Sequence, residues 1–329
     1  LNYPNLIWRD VINRLVAFEF NTLDVYISMA KKKNKNPITV IDLGSNTFRL
    51  VIYAQAIHPF PILYQKREFL KLGESINTGK LPSIKIKEAI KCLEEYIKIA
   101  KDYESSDIHI IATAAIRETI NGKEIIEPFK KKKSVVVEVL SPKNEAKCGS
   151  LGVISSIKNP IGLVADLGGG SLELSSIKNK NILETKSLKI GILRSESDMY
   201  KTSKIKFDNF LFSKFKNQSL KFSKNVGNIY VIGGMWRNLA KLHLHLNGIK
   251  KKKLHGYLIP FSELEIFYHK LYSMEKKQIQ KLNVVQPNRL DKLKLSTYIL
   301  FSLASFYEIK NIIFVRYGIR EGYLYDKLN

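Results

Sequence analysis

The chain of 329 residues is long enough for two domains of ordinary size, and its 45% hydrophobic and 26% charged residues exclude wholesale disorder. Lysine and arginine number 54 against 30 acidic residues, and this net charge of +24 predicts polyanionic ligands such as phosphate-rich substrates, nucleic acid or anionic membranes. The presence of two cysteines and the lack of an apolar run of about 20 residues exclude a disulfide-stapled secreted scaffold and a membrane span, and indicate a cytoplasmic protein.

The pattern after residue 36 predicts an α/β protein. Residues 1–36 end in a lysine-rich linker, and we expect a leader outside the fold, typical of a misassigned start site. In the first half of the chain, the pattern predicts five strands, at 38–41, 48–53, 63–70, 108–111 and 135–140. It also predicts two helices, at 84–100 and 144–154. In the second half, the pattern predicts five strands, at 161–165, 172–177, 182–188, 229–232 and 312–315. It also predicts four helices, at 207–223, 262–273, 288–308 and from Gly318 onward.

One segment of the chain occurs twice without a gap. Asp42-Leu43-Gly44 opens the first copy and Asp166-Leu167-Gly168 the second, and the offset of 124 positions holds as far as Leu50 and Leu174. A looser repeat pairs residues 110–117 with 230–237. Solenoids repeat every 20–50 residues or so, so this longer period predicts two similar α/β domains. We expect domain I at 37–147, domain II at 148–317, and a helix at 318–329 packing back on domain I.

Each copy places an aspartate and then glycine at the end of a strand. Glycine allows a positive φ and lets amide N–H groups approach a ligand closely, and the hydroxyls of Ser45, Thr47 and Ser171 add donors. This pattern predicts a phosphate site. An ionised aspartate cannot donate to phosphate, so its natural partner is a hard cation such as Mg²⁺ or a metal-bound water. Neither copy is a Walker loop or a dinucleotide fingerprint. Two such turns predict a phosphate clamp in an interdomain cleft.

The residues 40–50 and 164–174 resemble the Ppx/GppA family of exopolyphosphatases and guanosine pentaphosphate phosphohydrolases. Further matches follow in the family's order over about residues 38–326, at 112–117, 141–146, 233–234 and 317–322. The resemblance implies two duplicated domains of the actin/Hsp70/sugar-kinase (ribonuclease H-like) fold flanking a cleft, in the short two-domain form. Homodimerisation is common in that family, and the sequence leaves open whether this chain forms a homodimer.

The resemblance assigns roles to individual residues. It implies that Glu145 orients and deprotonates the attacking water, and that Asp166, Glu173 and Glu145 bind Mg²⁺ or another divalent cation. Without it, Glu145 would be interpreted as a first-turn helix acid, Glu173 as a solvent-facing acid and Arg117 as half of a surface salt bridge. The expected phosphate-binding residues are Asp42, Gly44, Ser45, Asn46, Thr47, Arg117, Gly168, Gly169, Gly170, Ser171, Gly233 and Gly234.

Three positions depart from the family's pattern. Pro142 and Asn144 stand where members often have glycine and a second acid, so metal binding and the basicity of Glu145 can differ. Met235 replaces a threonine and removes a hydroxyl from any phosphate contact. Trp236 fits a helix-packing anchor or a base-stacking surface, and the sequence leaves both open.

The leading hypothesis is Mg²⁺-dependent release of terminal orthophosphate from inorganic polyphosphate, because a basic channel would hold a long polyanion. Removal of the 5′ phosphate of guanosine pentaphosphate (pppGpp) needs the same turns and is the alternative. An ATPase or kinase of the same fold is a second class, and a catalytically silent polyanion-binding or nucleic-acid-binding protein is a third. Nucleic acid is a less favoured partner, and no membrane partner is expected.

Overall fold

The computed structural model describes residues 37–56, 58–105, 107–195, 204–217, 227–250, 253–285 and 289–328. The expected leader at 1–36 lies outside these residues, as do positions 218–223 of the predicted helix at 207–223. Within the described residues, no helix is long and apolar enough to cross a bilayer.

The first sheet contains β1 (Ile38–Leu43), β2 (Phe48–Tyr53), β3 (Ile62–Glu68), β4 (Asp107–Ala112) and β5 (Val135–Val139). Its order is β3-β2-β1-β4-β5, with β1 antiparallel to β2 and parallel to β4. Helix α1 (Ser83–Asp102) buries Ala89, Leu93 and Tyr96 on one face, because apolar residues three or four apart form a stripe along a helix. Four short helical turns complete this half, at Leu72–Ser75, Ala114–Arg117, Gly122–Ile125 and Glu127–Lys130. Helix α2 (Pro142–Ile154) follows.

The second sheet repeats the topology of the first. Its strands are β6 (Ile161–Leu167), β7 (Leu172–Lys178), β8 (Asn181–Leu188), β9 (Asn228–Ile232), β10 (Tyr257–Pro260) and β11 (Asn311–Phe314). The order is β8-β7-β6-β9-β11-β10, with β6 antiparallel to β7 and parallel to β9. A helical turn spans 192–195, and the helices are α3 (Lys204–Asn217), α4 (Gly234–Leu246), α5 (Phe261–Ser273), α6 (Lys276–Lys281), α7 (Leu290–Phe306) and α8 (Ile319–Leu328).

Strand β10 and helices α4 and α6 are missing from the sequence-based prediction. Strand β10 and helix α6 are short, and β10 ends in Pro260, whereas α4 has 13 residues. Proline is tolerated because β10 lies at the edge of the sheet, where a missing N–H breaks no central ladder. The other ten strands and the other long helices lie at the predicted positions, with shifts of a few residues at their ends. The molecule therefore has the two mixed-sheet α/β domains that the repeat predicts, in the actin-like fold that the resemblance implies.

Helices α2 and α8 form a layer between the two sheets. Tyr323 and Leu324 of α8 pack on the first sheet, and Val153 and Ile154 of α2 pack on the second. The two helices cross with their backbones in contact: a Cβ on Gly322 would lie 1.7 Å from the carbonyl oxygen of Cys148. Only glycine fits at such a contact. The helix that carries Glu145 is therefore held by residues from the far end of the described chain.

Candidate active site

The two aspartate–glycine turns have the same hydrogen-bonding pattern. The N–H of Gly44 donates to the carbonyl of Thr47 at 3.2 Å, and the N–H of Gly168 donates to the carbonyl of Ser171 at 2.9 Å. Each bond closes the hairpin between an aspartate-bearing strand and the strand that follows it. The offset of 124 positions found in the sequence is thus also the offset between two equivalent turns.

The turns face each other and nearly touch. A Cβ on Gly169 would lie 3.0 Å from the Cβ of Ser45, and one on Gly170 would lie 3.0 Å from the Cβ of Ala114. The expectation that these glycines supply a positive φ is wrong, because none of Gly44, Gly168, Gly169 and Gly170 has one. Close approach of the two domains requires glycine in the second turn. Among the described residues, no backbone acceptor pairs with the N–H of Gly169 or Gly170.

A cleft of about 180 Å³ lies between the turns. Three carboxylates line it: those of Asp42, Glu145 and Asp166. The expected phosphate-binding residues in its wall are Gly44, Ser45, Gly168, Gly169, Gly170, Ser171, Gly233 and Gly234. Asn46 and Thr47 line an adjoining cavity together with Met235. Among the described residues, the cleft wall does not include Arg117 or Glu173.

Glu145 lies in the first turn of α2. The hydroxyl of Ser141 caps this helix by accepting from the N–H of Asn144 at 3.1 Å, and Pro142 occupies the first turn, where no N–H is needed. Arg117 donates to Oε2 of Glu145 at 2.9 Å and to the carbonyl of Leu140 at 2.8 Å. Burial raises the pKa of Glu145 to about 7, although Arg117 opposes the shift. This value suits a general base at neutral pH.

Of the other two acids expected to bind metal, Glu173 is buried and Asp166 is half-buried. Burial raises the pKa of Asp166 to about 6, with Arg237 opposing the shift. Burial, with the nearby Glu145 carboxylate, raises the pKa of Glu173 well above its ordinary value. The hydroxyl of Ser187 donates to Oε1 of Glu173 at 2.8 Å. Burial therefore favours the neutral forms of both acids in the protein alone, and a cation bound nearby would favour their ionised forms.

Arg320 is a site residue that the sequence analysis did not assign. Its Nη1 donates to Oδ2 of Asp42 at 2.8 Å. Although burial opposes the charge, Glu321, Tyr53 and Asp42 keep the pKa of Arg320 above its ordinary value. Glu321 in turn accepts from the hydroxyl of Tyr53 at 2.6 Å. The only sequence signal was the family-like segment 317–322, which carried no assigned role.

Trp236 is a packing anchor. Its side chain is fully buried, and its Nε1 donates to the carbonyl of Ser296 at 2.9 Å, so the ring cannot stack on a base. The next residue, Arg237, lines the cleft. Burial lowers the pKa of Arg237 to about 10. Of the two roles that the sequence left open for Trp236, the structure shows the packing anchor, and the α4 segment contributes the cation of Arg237 to the cleft.

A second cavity, of about 670 Å³, adjoins the cleft and shares Gly234, Arg237 and Arg316 with it. None of the described residues that line it is acidic. The proximity of Arg320, followed by burial, lowers the pKa of Arg49 in its wall to about 9. We call it the basic cavity; its cationic side chains are Arg49, Arg67, Arg237, Lys241, Lys253, Arg289 and Arg316.

The donor set suits a hard cation only in part. The carboxylates of Asp166 and Glu145 share the cleft, and oxygen ligands are those that Mg²⁺ prefers. Within the described part of the chain, however, no group of three or more acidic, histidine or cysteine side chains is arranged to hold a metal. Mg²⁺ commonly uses one or two carboxylates and completes its shell with water and substrate phosphate. The cleft fits that mode of binding.

The fold and the site define a two-domain protein of the actin-like class, in which two glycine turns face a buried carboxylate. The model of the Ppx/GppA phosphatase family matches residues 50–329, and the chain belongs to this family.

Relatives and a solved structure agree with this assignment. The chain is 26% identical over 310 residues to the guanosine-5′-triphosphate,3′-diphosphate pyrophosphatase of Pseudoalteromonas translucida, which covers 90% of this chain and 60% of that protein. It is 21% identical over 319 residues to the putative exopolyphosphatase of Haemophilus influenzae, and this match covers 92% of this chain and 95% of that protein. The crystal structure of the Aquifex aeolicus family member gives a TM-score of 0.75 at 25% identity, covering 89% of this chain and 97% of that one. The chain spans little more than half the length of several curated relatives.

Proposed function

We propose that this protein is a phosphoanhydride hydrolase that releases terminal orthophosphate from inorganic polyphosphate, with Glu145 as the general base. The observation that carries the proposal is the position of the Glu145 carboxylate in the wall of the same cleft as both glycine turns. A phosphoryl group held by the turns would lie within reach of a water that this carboxylate orients and deprotonates.

Different residues of the cleft bind the phosphate and transfer the proton. The free N–H groups of Gly169 and Gly170 and the hydroxyls of Ser45 and Ser171 bind the terminal phosphate. Glu145 takes the proton of the attacking water. The carboxylates of Asp166 and Glu145 would hold Mg²⁺, which supplies charge neutralisation at the phosphate oxygens when bound. Glu173 is close to Glu145, and its raised pKa favours the neutral form until a cation binds nearby.

The basic cavity supports a long polyanion as substrate. It opens beside the cleft and presents seven cationic side chains. A chain of phosphates that leaves the cleft would therefore meet positive charge at once, which predicts binding that weakens steeply with salt. The guanosine pentaphosphate of the Pseudoalteromonas relative is also a polyanion and is the second candidate, since the same cavity could receive its far end.

The deciding experiment measures orthophosphate release from long-chain polyphosphate and from pppGpp, with and without Mg²⁺. We expect Mg²⁺-dependent release with a higher kcat/KM for polyphosphate, and a clear preference for pppGpp would reverse the assignment. Glu145→Gln is expected to lower kcat by about 10²–10⁴-fold while polyphosphate binding persists. Glu88→Gln, which removes an exposed acid on α1, serves as the matched control. Unchanged turnover in Glu145→Gln would remove this residue from the mechanism.

A further inference from the structure

A chain of three ion pairs runs beside the cleft from one domain to the other. Arg194, in the helical turn after β8, donates from Nη2 to Oε2 of Glu118 at 2.7 Å. Glu118 also pairs with Nη2 of Arg117 at 3.4 Å, and Arg117 contacts Glu145 at 2.9 Å. The charged groups of the second domain are thus connected to the carboxylate of Glu145 on α2.

Arg194 is fixed to the second glycine turn. Its Nε donates to the carbonyl of Gly170 at 3.1 Å. The neighbouring N–H groups of Ile192 and Leu193 donate to Gly168 and Gly169 at 3.1 and 2.9 Å. Because these bonds join the helical turn to the glycine turn, the guanidinium of Arg194 moves with the second domain's phosphate site.

Glu118 is fixed to the first domain. It follows the helical turn Ala114–Arg117, and its N–H donates to the carbonyl of Ala114 at 2.8 Å. The Glu118 and Arg194 side chains are only 25% and 19% exposed, so solvent and salt screen their attraction less than that of a surface pair. Because both partners are fixed to their turns, a wider spacing of the two turns would lengthen the 2.7 Å contact.

We propose that Glu118 and Arg194 form an interdomain latch that sets the spacing of the two glycine turns and holds Arg117 against Glu145. Among the described residues, neither latch residue is part of the cleft wall, so both act as positioning residues. The latch itself requires no particular substrate, whereas its effect on turnover rests on the proposed function.

The first test measures domain spacing without substrate. Spin labels on Lys98→Cys and Lys180→Cys report on the first and second domains, since both positions are exposed. The native Cys92 and Cys148 are buried and free, and burial raises the pKa of their thiols to about 11 and about 12, so labelling favours the introduced cysteines. We expect one narrow distance distribution, and a second population at a longer distance in Arg194→Gln and in Glu118→Gln.

The double variant separates a latch from two independent effects. Because the residues act on each other, Arg194→Gln with Glu118→Gln should give the distribution of one single variant and no further opening. Lys85→Gln removes a cation paired with Glu88 within α1 and should leave the distance unchanged. An unaltered distribution in both folded single variants would overturn the latch. If the glutamine variants fail to fold, Arg194→Lys replaces them. Lysine lacks the planar fork by which the guanidinium reaches Gly170 through Nε and Glu118 through Nη2, so this variant should show partial opening.

The second test measures hydrolysis. In each single latch variant we expect kcat to fall about tenfold, with a smaller change in KM. The kcat of the double variant should be no lower than that of the less active single variant. Effects that multiply would overturn the proposal. If the distances change as expected while the unmodified protein releases no phosphate from polyphosphate or pppGpp, the latch stands and the proposed function fails.

Discussion

The guanidinium of Arg320 donates to the carboxylate of Asp42 at 2.8 Å, although the two residues are 278 positions apart in the chain. Asp42 and Asp166 occupy equivalent places in the two turns, but among the described residues only Asp42 has such a direct cationic partner. The duplicated turns are therefore electrostatically unequal. Asp42 is neutralised by the protein, and Asp166 remains available for a cation.

Removing this partner should destabilise the fold. Arg320→Gln leaves Asp42 and Glu321 without their shared cation in a partly buried site, and we expect a loss of about 3 kcal/mol in the free energy of unfolding. Urea denaturation measures it. The double variant Arg320→Gln with Asp42→Asn should lose less than the sum of the two single variants, because it leaves one fewer unpaired charge. Additive losses would show that the pair is not coupled.

The activity should rise with pH on the acid side. Because burial raises the pKa of Glu145 to about 7, the carboxylate is largely protonated below that pH and cannot accept the proton of water. We expect kcat/KM at low Mg²⁺ to increase with an apparent pKa near 7, and this limb to shift to lower pH as Mg²⁺ is added, since a cation favours the ionised form. An increase in kcat/KM centred near pH 4 and independent of the Mg²⁺ concentration would contradict this prediction.

The contribution of Asp166 to the free energy of unfolding should fall as pH rises, whereas the activity should increase. The folded pKa of Asp166, about 6, lies above the ordinary value of 3.8, so its contribution to stability is present at low pH and is lost as pH rises through 6. Asp166→Asn should thus raise the free energy of unfolding by about 2 kcal/mol at pH 8 relative to its effect at pH 3.5. Urea titrations at both pH values measure the difference. Asp102→Asn, at the exposed end of α1, should show no such change.

The spacing of the turns should tolerate no added methyl group in the second one. In Gly169→Ala the new Cβ would lie 3.0 Å from Ser45 and 3.2 Å from Leu193, which forces the turns apart. We expect kcat/KM to fall at least about tenfold, because small displacements of bound groups are costly in catalysis. Gly248→Ala is the control, since no atom lies within 4 Å of its added Cβ and the residue lines neither the cleft nor the basic cavity, so its positive φ affects stability and not the site. Equal activity of the two variants would contradict the prediction.

The sequence was sufficient for the parts of the fold that repeat locally. Strand patterns and the fixed offset located both hairpins, because alternation and turn chemistry are encoded within a few residues. The order of the strands in the sheets was not predicted from the sequence. The partners of charged side chains were not predictable in the same way. The contact of Arg117 with Glu145 and that of Arg320 with Asp42 depend on packing between distant segments. The anchoring of Trp236 to Ser296, 60 positions away, was equally hidden.

The contact between α2 and α8 bears on the order in which the protein can form. Tyr323 and Leu324 cover one face of the first sheet, and Gly322 lies against the helix that carries Glu145. During synthesis, the ribosome finishes every strand of the first domain long before it reaches α8. The first domain therefore has an uncovered apolar face until then, and the helix that carries Glu145, the proposed general base, gains its final support only when α8 docks.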